Sequence, residues 1–310
     1  MSQLESRPES RAELGLSIDV CICTYERPEL EAAIRSVATQ RGVEGRRLEL
    51  IVADNHAEPR AEALAERLAA ELALPIRYLH APARNISVAR NACLAAAQGD
   101  LIAFLDDDEV ADPMWLAALV REALEGGWDA VLGPVRAIYA ADAPDWIRAG
   151  DFHSVRPVWV GGEIRTGYTC NVLIRREALK GLTFNPAYGR SGGEDLDFFY
   201  RFTDAGGRIG YAEDALVREL APAQRTTFDW LVRRRFRSGQ SHGARLLQIA
   251  RRPFARVLAL ALAGMKAAAY GLMTLVSGLD PVRRRRFMLG AAMHAGVVAR
   301  LAGARPIELY

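Results

Sequence analysis

Residues 86–109 read ISVARNACLAAAQGDLIAFLDDDE. The first part predicts a helix over Ile86–Gln98, closed by Gly99 as a C-terminal cap. Leu101–Leu105 is a short, unbroken apolar run of strand length, and it leads straight into Asp106, Asp107, Asp108 and Glu109. The same grammar holds upstream: Ser17–Cys23 and Leu48–Asp54 read as strands and Ile76–Leu79 as a shorter one. Pro28–Gln40 and Pro59–Leu72 read as helices with proline at a first-turn position. Downstream, Pro113–Leu124 continues the alternation. Near-continuous apolar strands between helices specify an α/β fold with a mostly parallel sheet covered by helices on both faces.

Beyond Ala130 the pattern loosens into strands and loops rich in proline, glycine and tryptophan, as expected around a cleft. Residues 195–205 predict a helix ended by Gly206-Gly207, Arg208–Tyr211 a strand, and everything after Thr227 helix. The expected organisation is a disordered segment over 1–15, an α/β domain over 16–224 and a helical, arginine-rich extension over 225–310.

The chain has 310 residues, half of them hydrophobic and a quarter charged. That balance excludes a disordered protein, a collagen-like repeat and a disulfide scaffold. Cys21, Cys23, Cys93 and Cys170 show no zinc-site spacing, and Cys93 and Cys170 read as small buried hydrophobes. The polar N-terminal stretch is no secretory signal, so a reducing, cytoplasmic setting is expected. The net charge of +2 conceals a division. From Arg225 onward there are sixteen basic residues and three acidic ones, which leaves 24 basic against 35 acidic before it. An acidic body with a basic tail implies an anionic partner: nucleic acid, a membrane surface or a phosphorylated substrate.

In an open α/β sheet, ligands bind outside the carboxyl ends of the strands. Three strands end in polar groups there: Thr24-Tyr25-Glu26-Arg27, Asp54-Asn55 and the run of acids from Asp106. Adjacent carboxylates repel unless a cation or donors compensate. Oxygen ligands at this density suit Mg²⁺ or Mn²⁺ bridging to substrate phosphates. Alternation along an extended segment selects Asp106 and Asp108 as the metal pair. A solvated acidic turn is the plain alternative, but Asp112 before Pro113 already supplies an N-cap, which leaves the triple acid unexplained. A prenyl-diphosphate synthase motif would lie on a helix, and a dehalogenase-type phosphatase motif would follow the first strand.

Taken in order, SIDVCICTYERP, LELIVADN, ISVARNACLAAAQGDLIAFLDDDE and GGEDLDFFYR resemble the family 2 glycosyltransferases of the GT-A (Rossmann-like) fold. The likeness covers roughly residues 16–240. Within the family, residues 133–176 and WLVRRRFRSGQSHG are similar to bacterial succinoglycan-type exopolysaccharide β-glucosyltransferases. The resemblance implies a UDP-sugar donor, UDP-glucose first, with Mn²⁺ or Mg²⁺. It places Thr24 and Glu26 at the nucleotide, Asp54 at the uracil or ribose, and Arg90, with Arg84 nearby, at the donor cleft. It puts Asp106 toward ribose and metal, Asp107 beside it on the donor side, and Asp108 at the metal bridging the phosphates. Asp195 matches the catalytic base, with Glu194 orienting the acceptor.

Chemistry supports that division of labour independently. A leaving diphosphate needs cations, and an attacking hydroxyl needs a carboxylate to take its proton. Asp195 also fits a simple helix cap. His242 could reach the metal or diphosphate or be a loop histidine; Trp146, Trp159 and Tyr168 could stack on sugars or belong to the core. In the tail, Phe254–Gly278 and Phe287–Ala302 are apolar but interrupted by Arg256, Lys266, His294 and Arg300, so neither cleanly meets the requirement for a spanning helix. Helices lying in a membrane interface, arginines on anionic headgroups, fit better than packing on the body. A lipid-linked saccharide acceptor at the cytoplasmic membrane surface follows, and nucleic acid is the least favoured partner. An inactive scaffold of the same fold and a sugar-phosphate nucleotidyltransferase are the rival classes.

Overall fold

The computed structural model describes residues 15–250, 252–278 and 280–307. The expected disordered segment 1–15 lies, apart from Gly15, outside the described residues. Strands and helices alternate as β1 (Ile18–Thr24), α1 (Leu30–Ala38), β2 (Leu48–Asp54), α2 (Glu62–Leu72), β3 (Ile76–His80), α3 (Ile86–Ala96) and β4 (Leu101–Asp106). Then come β5 (Glu109–Ala111), α4 (Trp115–Glu125), β6 (Ala130–Leu132), β7 (Val135–Tyr139), α5 (Asp145–Gly150), β8 (Trp159–Val160), β9 (Glu163–Ile164) and β10 (Asn171–Arg175). The chain ends with α6 (Glu194–Asp204), β11 (Ile209–Tyr211), β12 (Val217–Ala221), α7 (Phe228–Ile249), α8 (Pro253–Val276) and α9 (Pro281–Leu301).

Two compact units divide the chain by contacts and not by order. The first takes residues up to Val135, Arg156–Thr183 and Arg201–Arg218; the second takes Arg136–Val155, Phe184–Tyr200 and the chain from Glu219.

The first unit is built on a seven-stranded sheet in the order β11-β6-β10-β4-β1-β2-β3. It is parallel except for β10, which runs antiparallel to both β4 and β6. Ile18, Val20, Ile22, Leu50, Ile51 and Val52 are all fully buried in it. The crossovers β1-α1-β2 and β2-α2-β3 step one way along the sheet, and β3-α3-β4 returns to the other side of β1. Right-handed crossovers therefore put α1 and α2 on one face and α3 on the opposite one. An exposed network agrees: Arg35 on α1 binds Glu31 and, at 2.9 Å, Glu71 of α2, while Arg67 reaches Glu31 at 2.7 Å. The reversal falls between β1 and β4, the crevice where a doubly wound sheet binds its ligand. This is the GT-A arrangement.

The helices after prolines start two or three residues later than expected, because the proline-led first turns precede the regular ladder. Two expected caps are corrected. Helix α3 ends at Ala96 with Ala97 extended, so Gly99 is no C-cap. Its N–H donates to buried Asp19 Oδ2 at 2.6 Å, and a Cβ there would come within 3.0 Å of that carboxylate, so close approach is what requires glycine. Asp112 does not cap α4 either; its carboxylate pairs with both terminal nitrogens of Arg218, and the N-cap is Met114.

The second unit is mostly helical. Ala143, Ile147, Phe152, Leu231 and Leu289 form its apolar core, with Trp146, Phe228 and Trp230 packed around them. Thr227 caps α7 and Asp280 caps α9 through their side chains. Helix α8 is long and apolar enough to cross a membrane by length and composition, with only 6% of its apolar window buried. The expectation that no tail segment reaches that threshold is thereby corrected for α8. Arg256 and Lys266 do not undo this, because alanine, leucine, methionine and valine dominate the helix.

Candidate active site

In the first unit, strand register gathers the polar ends of the sheet. Thr24 pairs with Asp54 across β1 and β2, Cys23 with Asp106 across β1 and β4, and Asp54 with His80 across β2 and β3. The four carboxylates after Leu105 do not continue as a strand. β4 stops at Asp106, residues 107–108 form a turn, and β5 begins at Glu109. Strand alternation therefore does not set which acids face together; the turn does.

Asp106 is the most exposed of the three aspartates; its N–H donates to Glu109 Oε2 at 3.1 Å, and its carboxylate stands 3.8 Å from the buried Arg90 guanidinium. Asp107 turns inward and accepts from Tyr25 N–H at 3.4 Å. Burial pushes its carboxyl up to about 7, with Asp108 adding to the rise and Thr24, Arg27 and the Tyr25 N–H opposing it. The Thr24 hydroxyl is near enough to act on Asp107, yet it is buried and reaches no partner at hydrogen-bonding geometry. Arg27 faces Asp107 at 3.9 Å and Asp108 at 3.5 Å, a cation that offsets the clustered acids.

Asp106, Glu109 and Cys170 each offer a ligand atom, all lying within 4.8 Å of one another. The two carboxylates are the hard oxygen donors that Mg²⁺ or Mn²⁺ accepts, and the thiol is a softer third neighbour. The orphaned Thr24 hydroxyl and the uneasy burial of Asp107 are further signs of a site built to receive a charged polar group. Cys170 is half-buried and corrects the expectation of a buried hydrophobe, whereas Cys93 fulfils it, packed 3.9 Å from Cys23 Sγ.

The remaining residues expected on the donor side lie at the end of β2 and in adjoining loops. Asp54 is buried, its oxygens accepting from His56 N–H, Ala61 N–H and the Tyr78 hydroxyl, so it also organises the loop after β2. Glu26 and Arg84 both adopt left-handed backbone, φ 51° and 45°. Non-glycine residues held there concentrate at functional sites. Glu26 binds Arg60 at 2.7 Å, and the Arg84 guanidinium lies 5.8 Å over the Tyr25 ring. Asn55 Oδ1 accepts from Asn85 N–H at 3.1 Å, tying the Arg84 loop to β2.

Glu194 and Asp195 belong to the second unit, in the first turn of α6. Glu194 is buried and Asp195 half-buried. Gly192 and Gly193 precede them at φ 78° and 94°. A Cβ on Gly193 would lie 2.6 Å from Ser241 Oγ, and one on Gly192 would lie 2.7 Å from the Arg237 guanidinium. Residues 237 and 241 are one helical turn apart on α7. The positive φ demands glycine at both positions, the short Ser241 side chain adds close approach at Gly193, and α7 is the surface against which this turn is shaped.

Of the other residues singled out, Trp146 packs on the second unit's core with Arg285 4.4 Å over its ring. His242 is half-buried on α7, its pKa lowered by burial and then by Lys266. Tyr168 donates its hydroxyl to Gly133 O at 2.7 Å. Trp159 is half exposed on the β8–β9 hairpin, edge-on to Tyr211.

The model of the family described as glycosyl transferase family 2 matches residues 19–183. Across 297 residues the chain is 49% identical to the succinoglycan biosynthesis protein ExoM of Rhizobium meliloti (strain 1021), covering 95% of this chain and 96% of that one. The chain belongs to glycosyl transferase family 2. It is also 25% identical over 245 residues to a glucosyl-dolichyl phosphate glucuronosyltransferase of Haloferax volcanii, covering 73% of this chain and 76% of that one. The glycosyltransferase AglE of the same organism is 24% identical over 245 residues, with 79% of each chain covered.

For this glycosyltransferase, sequence reasoning missed Arg27 and Cys170 as members of the acidic cluster, and it read Glu109 in the acidic run without giving it a place at the site. Arg27 was legible, being a cation within the polar run after β1. Cys170 was not: it enters because β10 pairs antiparallel with β4, Asn171 opposite Leu105, which sets the preceding residue beside Asp106. Nothing local in the sequence announces that long-range pairing.

Proposed function

We propose that this glycosyltransferase moves glucose from UDP-glucose, with inversion, to a hydroxyl of a polyprenyl-diphosphate-linked oligosaccharide during exopolysaccharide assembly. The work is done at the cytoplasmic face of the cytoplasmic membrane. The observation that carries this reading is the row of polar strand ends at the switch point, Thr24, Asp54 and Asp106, with cations Arg27 and Arg90 among the acids. The names of two relatives support the context: one belongs to succinoglycan biosynthesis, the other acts with a glucosyl-dolichyl phosphate.

Departure of UDP builds negative charge on the diphosphate. Asp106, with Asp108 or Glu109, would hold Mn²⁺ or Mg²⁺, which when bound neutralises that charge. Arg90 and Arg84 supply fixed positive charge on the same side. Thr24, Glu26 and Asp54 hold the uridine, the orphaned Thr24 hydroxyl gaining a partner there, and Asp107 supports the loop from below. The acceptor hydroxyl gives its proton to the Asp195 carboxylate while Glu194 orients it. One in-line attack turns an α-linked donor into a β-glycoside.

The test is a binding and turnover screen of UDP-, GDP- and dTDP-sugars with Mn²⁺ or Mg²⁺. UDP-glucose should be preferred; a clear GDP preference would overturn the uridine assignment. Asp195→Asn should lower turnover by about 10³-fold while UDP affinity stays within about twofold. Asp106→Ala should remove the Mn²⁺-dependent part of UDP binding, measured by calorimetry; unchanged affinity defeats the metal role.

A further inference from the structure

Helix α8 is amphipathic in the reverse sense. At 100° per residue, Ala255, Ala259, Ala263, Ala267, Gly271 and Thr274 share one side, and all are buried or half-buried. The opposite side carries Phe254, Val257, Leu258, Met265, Leu272, Leu275 and Val276. Those residues are exposed, Phe254 by 78% and Leu275 by 80%. The inner side meets α9: the Tyr270 ring stacks on His294 at 5.5 Å, and a Cβ on Gly290 would lie 2.6 Å from that ring.

A helix of a water-soluble body buries its large apolar residues and shows its small or polar ones. Small residues at the helix contact and large ones outside is the arrangement of helices whose surroundings are as apolar as their own side chains. Charge agrees. Arg256 and Lys266 fall on the inner side, Arg256 donating to Ala250 O at 3.0 Å and Lys266 acting on His242 and His294. The outer side has no charged residue along its length. There is no acidic residue anywhere from 230 to 279, while Arg252 flanks one end and exposed Arg283 and Arg284 follow the other.

We propose that the outer face of α8 lies in the acyl region of an anionic phospholipid leaflet, with the helix parallel to the membrane plane and the flanking arginines on headgroup phosphates. This deepens the membrane setting of the function proposed above and rests on it. Crossing would carry Lys266 to the bilayer centre, where an unpaired cation is strongly disfavoured. Lying flat keeps Arg256 and Lys266 on the water side and sinks only the uncharged face. Basic residues at both ends then meet the same negative surface.

Flotation of the full chain with phosphatidylcholine vesicles, with and without phosphatidylglycerol, tests the proposal. The protein should float with the anionic vesicles, and Leu272→Ser with Leu275→Ser should weaken partitioning by about tenfold or more at unchanged circular dichroism. Environment-sensitive labels on Phe254→Cys, Met265→Cys and Leu272→Cys, read against the unsubstituted chain, should report equal, shallow depth by lipid-borne quenchers. A deepest reading at 265 means the helix crosses and overturns the in-plane proposal. Absence of vesicle binding, or lipid-free self-association that the two serines abolish, assigns the face to protein and overturns it as well. Turnover of a water-soluble acceptor should be the same in the serine variant, so failure here and failure of the transfer reaction are separate results.

Discussion

The central sheet and helix α8 are both strongly apolar, and they treat side-chain size in opposite ways. In the sheet, Ile18, Val20, Ile22 and Leu50 are wholly enclosed, and the polar groups of the candidate site stand where the strands end. In α8 Ala263 is buried and Ala255, Ala259 and Ala267 are half-buried, while phenylalanine, leucine and methionine stand outside. Hydropathy reports how much apolar surface a segment has, and it says nothing about which neighbour hides that surface. The contrast teaches that one apolar run makes a core while another makes a face, and only the packing partner separates them.

The contrast can be broken by substitution. Leu50→Ala, in a sheet that cannot collapse around the gap, should cost about 4 kcal/mol of unfolding free energy by denaturant titration. If it costs little, the sheet is looser than its burial implies. Inside the second unit the ordinary rule should hold near His153. This imidazole is buried, stacked on Trp230 and set between Tyr139 and Arg225 O, with Arg225, Arg234 and Asp151 as the charged neighbours. Burial, with Arg234 and Arg225, lowers its pKa to about 4 against the Arg225 carbonyl and Asp151. The unfolded chain then binds the proton first as pH falls. Stability from this group is present above pH 6.5 and lost as pH falls toward 4, by about 3 kcal/mol. Melting temperature against pH should show that loss, and His153→Gln should flatten it.

Asn171 sharpens the same comparison from the polar side. Its side chain donates to Pro134 O and Ala215 O and accepts from the Trp115 indole N–H at 2.8 Å, all within the first unit. Asn171→Ala orphans these groups and should cost about 2 kcal/mol in the same titration. The smallest effect belongs to α8: Leu272→Ser should change unfolding in solution by less than about 0.5 kcal/mol. A loss comparable with that of Leu50→Ala would mean Leu272 has a hidden packing partner, and the inverted reading of α8 would fail.

How far each feature was legible follows from its range along the chain. Strands β1, β2 and β4 and the helices between them were readable because apolar continuity and helical spacing are local. Gly99 and Asp112 were misread because both matched a helix-end pattern while serving distant partners, Asp19 and Arg218. Asp106 was legible as a strand end at the switch point. The turn that directs Asp107 inward, toward Thr24, and Asp108 toward Arg27 was not, because alternation was carried past the last residue of the strand.

The sequence alone determined the alternating α/β order, the three polar strand ends, the glycine-led acid pair at Glu194 and Asp195, and the split between acidic body and basic tail. Those are statements about neighbours in the chain, which periodicity and charge encode directly. Tertiary structure alone decided that β10 inserts antiparallel and brings Cys170 to Asp106 and Glu109, and that α8 turns Ala255, Ala259, Ala263 and Ala267 inward. Both depend on contacts between segments far apart in the chain. Such contacts are fixed by shape and burial, which no local pattern of residues carries.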